Sequence, residues 1–153
     1  MATTNNAPAF VRAGNVMTTT LLRAGLPLVG PFIFFGHYPM YLFTVRGRKS
    51  GLPRTVPVAI IKRNGQRYVG SPYGLVDWVR NLRASGEAVL TRGRRSETVG
   101  AKELPPTEAV ILLQEEIKAG NPFIRSYGVT RDSSLEEFER AVPTHPVFLL
   151  ESK

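Results

Sequence analysis

Residues 55–71 read TVPVAIIKRNGQRYVGS. Two runs rich in β-branched and aromatic residues flank Asn64-Gly65. An Asn-Gly pair supplies the two left-handed residues of a tight hairpin turn, so this stretch predicts two antiparallel strands. Working outward, MYLFTV (40–45) is a further β-rich run, leading into RGRKSG (46–51). Downstream, GLVDWVRNLRASG (74–86) has helical spacing and a Gly stop at Gly86. EAVLTR, the basic turn GRR and SETVGAKEL predict a second hairpin over 87–104. Pro105-Pro106-Thr107 opens a helix to Lys118, stopped at Gly120, with Val110, Leu113 and Ile117 on its core face. Ser134 and Glu137 form a capping-box pattern for a short acidic helix to Ala141, and HPVFLLES closes the chain as a strand.

Two hairpins with flanking strands, a helix between them and others outside predict an α+β fold: an antiparallel barrel with peripheral helices. No GxGxxG follows a strand, which argues against a dinucleotide-binding sheet. The 153 residues fit one domain, 9–153, preceded by a loose polar tail at 1–8. A modest amphipathic helix is expected over 9–25. Residues 24–45 then carry no charge, a length able to span a bilayer, but Pro27, Pro31 and Pro39 would break the helical ladder. The segment reads instead as buried or substrate-facing, with peripheral membrane contact through residues 9–45 as the alternative. There is no secretory signal pattern and no cysteine, which suits a cytoplasmic protein, peripheral at the inner membrane face if that contact is made. Cysteine is absent and histidine occurs only as His37 and His145, so no metal site is expected.

The net charge is +8, and its distribution is uneven. Residues 1–76 hold nine Lys/Arg and no acid; residues 77–153 hold eleven Lys/Arg and twelve Asp/Glu. The first half therefore expects an anionic partner. RGRKSGLPR (46–54) is the natural place for it. Gly47 and Gly51 would leave main-chain N–H groups open to an anion, Arg48 and Lys49 add charge, Ser50 adds a hydroxyl, and Arg54 can bond two oxygens at once. The plain alternative is a solvated basic turn. On the following helix Trp78, Asn81, Leu82 and Ser85 share a face; Trp78 and Leu82 suit core packing, Arg80 suits a pair with Asp77, and Asn81 must find a hydrogen-bond partner. The cations cluster in turns and not along an aromatic-lined groove, which argues against nucleic acid as a partner.

Taken together and in order, RGRKSG-x-PRT-x-PV, RYVGSPYG and DWVRNLRASGEA resemble the deazaflavin (coenzyme F420)-dependent nitroreductase and quinone reductase family, closely over about residues 38–104. The resemblance implies an FMN-binding split-barrel-like fold. It implies bound coenzyme F420, with anionic phosphate and oligoglutamate groups, and hydride transfer to a small lipophilic acceptor such as a quinone or nitro compound. FMN is the weaker alternative, by fold-level analogy. By the family pattern Arg48, Lys49, Ser50 and Arg54 meet the cofactor, with the strand Thr55, Val56, Pro57 and Val58. Ser71 lies by the ring, Trp78 and Asn81 lie in the segment closing over it, and Tyr127 lines the substrate side. Tyr73, Ser71 and Tyr127 are the candidate proton donors or substrate contacts. The loop SPYGLVDW is shorter than in the nitroimidazole-reducing branch, with Pro72 or Tyr73 where that branch has Lys. A non-catalytic carrier of the cofactor, or of a fatty-acyl or isoprenoid chain, is the rival reading. The assembly expected is a monomer or a homodimer.

Overall fold

A computed structural model describes residues 38–153. The tail at 1–8, the helix at 9–25, His37 and most of the uncharged segment lie outside these residues. The segment's last six residues, Met40–Val45, are the start of a strand. Among the described residues no helix is long and apolar enough to cross a membrane.

Seven strands form one antiparallel sheet: β1 Met40–Arg46, β2 Pro53–Ala59, β3 Ile61–Arg63, β4 Gln66–Gly70, β5 Glu87–Arg92, β6 Arg95–Glu103 and β7 Val147–Ser152. Their spatial order is β2-β1-β5-β6-β7-β4-β3. The hairpin at Asn64-Gly65 is present; φ is 51° at Asn64 and 74° at Gly65, and Arg63 pairs with Gln66. The run TVPVAIIKR, expected as one strand, is two. It breaks at fully buried Ile60, whose N–H donates to Pro39 O at 3.0 Å. β2 and β3 are thus consecutive in the chain yet lie at opposite edges of the sheet. The sheet must curl until a single residue bridges those edges, which makes a half-barrel. This is the α+β split barrel, with helices α1 Asp77–Ser85, α2 Pro106–Lys118 and α3 Leu135–Ala141 around it.

Side-chain alternation sorts two cores. Phe43 and Val45 on β1, Leu90 on β5, Val99 on β6 and Phe148 and Leu150 on β7 point into the barrel, where α1 adds Val79 and Leu82. Val147 and Leu149 on β7 point the other way, against Leu113 of α2 and Phe138 of α3. Because β7 is covered on both faces, its sequence reads as an unbroken apolar VFLL. The helices end as their sequences require. Gly86 caps α1 with φ 68°, and Ser134 and Glu137 exchange side-chain and main-chain bonds at the start of α3.

The helical layer is tied to the barrel by a buried charge. Glu116 on α2 is 2% exposed and accepts from Arg63 on β3 at 2.6 Å and from Asn121 at 2.8 Å. Burial, together with the hydrogen bond to Glu116, pushes the Tyr38 hydroxyl up to about 12. Removing one partner of such a buried pair leaves an uncompensated charge, which costs about 3–5 kcal/mol.

Candidate cofactor site

The β1–β2 turn and α1 build the basic corner. Arg48 folds back onto the helix: its main-chain N–H and its Nη1 both donate to Asn81 Oδ1, at 3.2 and 2.8 Å. Its guanidinium also lies 3.4 Å from Asp77 Oδ1, and Arg80 pairs with Asp77 at 3.8 Å. Asn81 is 4% exposed, so its amide finds its partner in the turn. Arg48 is therefore a clamp between turn and helix, with its charge partly offset by Asp77.

The N–H groups of the two glycines are themselves used within the turn. Gly47 N–H donates to Leu52 O and Gly51 N–H to Gly47 O, each at 2.8 Å, while Leu52 N–H donates to Ser50 Oγ at 3.2 Å. The turn closes on itself first. Among the described residues the N–H groups left without a partner in the turn are those of Lys49 and Ser50. Lys49 and Arg54 are exposed and likewise have no acidic partner among the described residues. Arg54 crosses the turn, with its Cγ 3.7 Å from where a β-carbon on Gly47 would sit. Two cations and two adjacent amides therefore remain for an anion, a donor set that fits a phosphate or carboxylate handle.

Among the described residues β2 pairs only with β1, so its other edge is open. Pro53 and Pro57 have no N–H to give, which puts the odd-numbered positions out of the β1 ladder. Thr55 N–H and the Thr55 and Pro57 carbonyls then face the open edge. Thr55 Oγ1 is held by Thr44 Oγ1 at 2.9 Å. Arg54, Val56 and Val58 share the inward face; Val58 is core and Val56 packs against it. The Trp78 ring is spent in the barrel, edge-on to Phe43 at 5.6 Å and tilted against Phe148 at 6.2 Å. On the outer face a cleft of about 290 Å³, lined by Thr44, Arg46, Gly51 and Pro53, abuts the same turn.

The three hydroxyls expected near the acceptor differ in access. Ser71 is fully buried and its hydroxyl donates to Gly74 O. Tyr127, in the short 3-10 turn Pro122–Tyr127, is 5% exposed. Burial pushes its hydroxyl well above the ordinary tyrosine range, with a main-chain hydrogen bond from Ser71 opposing. Tyr73 is 41% exposed. Sequence reasoning missed Asp77 as a partner of Arg48 and Glu116 as the tie between helix and barrel. Glu116 had a signal: it sits three residues after core-facing Leu113.

No curated protein matches. Among solved structures, one described as an F420-H2 dependent reductase (FDR-A) superposes with a TM-score of 0.52 at 25% identity, covering 74% of this chain and 94% of its own. Another, described as a domain-swapped dimer, gives 0.54 at 22% identity, covering 93% and 97%. The F420H(2)-dependent quinone reductase family matches residues 16–135, most of the chain. With a split barrel and a family match over most of its length, the chain belongs to the F420H(2)-dependent quinone reductase family, and is an oxidoreductase whose cofactor is coenzyme F420.

Proposed function

We propose that the protein uses reduced F420 to reduce a small lipophilic, electron-poor acceptor, a quinone first and a nitro compound second. The observation that carries this reading is that, among the described residues, the donors of Lys49, Ser50 and Arg54 are unspent and the adjoining edge of β2 is unpaired. When bound, the reduced deazaflavin supplies a hydride. The chain's own residues do the rest. Lys49 and Arg54 hold the anionic handle, and the outer cleft by Arg46 and Gly51 leaves room for an extended anionic tail. Thr55 to Val58 orient the ring through main-chain groups and an apolar face. Trp78 and α1 close the barrel end and keep water from it, and the Arg48–Asn81 clamp fixes α1 to the turn. A quinone that gains a hydride still needs one proton to become the quinol. Tyr73 Oη is the exposed hydroxyl able to deliver it, with Ser71 shaping the turn beneath. The assembly we propose is a homodimer, supported by the domain-swapped dimer described for the second similar structure; a single monomer mass in sedimentation would overturn that point.

The test is a titration with F420 and, side by side, FMN, followed by anaerobic turnover of reduced F420 with menadione. Tight F420 binding with return of the oxidised chromophore's absorbance is expected. Binding without turnover of any quinone or nitro acceptor would favour a carrier, and absence of F420 binding would defeat the reading.

A further inference from the structure

Gly70 ends β4, and a β-carbon built there would overlap the Tyr127 hydroxyl. Tyr127 cannot swing aside. Its ring stacks on His145 with centroids 4.9 Å apart and planes at 32°. His145 is itself held, with Nδ1 3.1 Å from Ala141 O and 2.9 Å from Thr144 Oγ1. The turn Ser71–Gly74 rests on the same group. Ser71 N–H donates to Pro146 O at 3.1 Å, and a β-carbon on Gly74 would lie 3.3 Å from Thr144 O. Two residues later Val76 N–H donates to Gly74 O at 2.9 Å, and α1 begins at Asp77. A phenylalanine ring would fill the core as well as a tyrosine ring does. The hydroxyl is what reaches the backbone at Gly70 and Ser71, and only glycine leaves it room.

We propose that Tyr127 is a positioning residue: its hydroxyl, seated under Gly70, sets the height of the Ser71–Gly74 turn and so the place of Tyr73. The proposal rests on the reading that Tyr73 faces the acceptor. The Gly70–Tyr127 contact then acts on acceptor geometry, while the basic corner is held separately, by the hydrogen bonds from Arg48 to Asn81.

The test is a double-mutant cycle in the full chain: Gly70→Ala, Tyr127→Phe and the pair together. Three quantities are measured for each protein: KM and kcat for menadione, the F420 dissociation constant by fluorescence titration, and the melting temperature. Gly70→Ala should cost about tenfold in kcat/KM for menadione while F420 affinity stays within about twofold. Removing the hydroxyl in the double variant should restore kcat/KM to within about threefold of the parent. Wild-type kcat/KM in Gly70→Ala overturns the proposal, as does a double variant no better than Gly70→Ala. An equal loss of F420 affinity also overturns it, because that marks general collapse. If Gly70→Ala fails to fold, recovery of folding and turnover in the double variant supports the contact, and no recovery defeats it. A parent chain that binds no F420 defeats the functional reading and this proposal with it. A parent that binds and turns over while the cycle is additive defeats this proposal alone.

Discussion

RGRKSG at 46–51 and TRGRRS at 91–96 are near twins in composition, yet they make different turns at opposite ends of the barrel. In the second, Arg92 pairs directly with Arg95 and only Gly93 and Arg94 lie outside the ladder. Arg92 lies over the Tyr41 ring, 5.5 Å from its centre. In the first, the ladder stops at Arg46 and Pro53, leaving six residues between them. One of those, Arg48, is given to α1, and the next two keep amides without a partner among the described residues. Charge is common to both turns. What separates them is main chain released from strand pairing and held in a fixed shape by a helix. A cation count from sequence ranks the two alike, as does a count of N–H groups without a partner among the described residues, Lys49 and Ser50 in one and Gly93 and Arg94 in the other; the docking of the turn on a helix does not.

The largest expected effect breaks or upholds this contrast directly. Lys49→Ala with Arg54→Ala should weaken F420 binding about tenfold or more, while Arg94→Ala with Arg95→Ala should change it by less than about twofold, both read by fluorescence titration. Equal losses would show that general positive charge, not the corner, attracts the cofactor. Next, Asn81→Ala removes the clamp from Arg48. Thermal or urea unfolding should show a loss of about 1–3 kcal/mol, with F420 affinity falling severalfold as the turn loosens. Glycine substitution sharpens the comparison further. Gly51 and Gly93 have φ of 70° and 61° with open space around each, so alanine should cost either turn about 1 kcal/mol of unfolding free energy. Only Gly51→Ala should also shift F420 affinity; a shift in Gly93→Ala would count against the assignment. Smallest, Arg92→Ala should lose about 0.5–1 kcal/mol of stability with no change in the titration.

Local chemistry made much of the fold legible. Asn64-Gly65, the Gly86 stop and the Ser134–Glu137 box each act within a few residues, and each reads the same in chain and structure. The break at Ile60 was not legible, because TVPVAIIKR is continuous in β preference and the bend is imposed by closing the sheet. The site divides the same way. The basic corner was visible in composition, as was the need of Asn81 for a partner. That the partner is Arg48, 33 residues earlier, depends on how α1 docks. The fate of the Gly47 and Gly51 amides depends on how the turn folds on itself. Tyr127 belongs to a 3-10 turn too short for periodicity to reveal its inward face.

Pro53 and Pro57 have one more consequence. A bare sheet margin invites a neighbouring chain to zip alongside it, the first step towards aggregates. Two missing donors along β2 deny such a chain its regular ladder, while a planar guest that needs only a few carbonyls and one amide is not hindered. The same margin can thus admit a small molecule and still discourage stacking of the protein on itself.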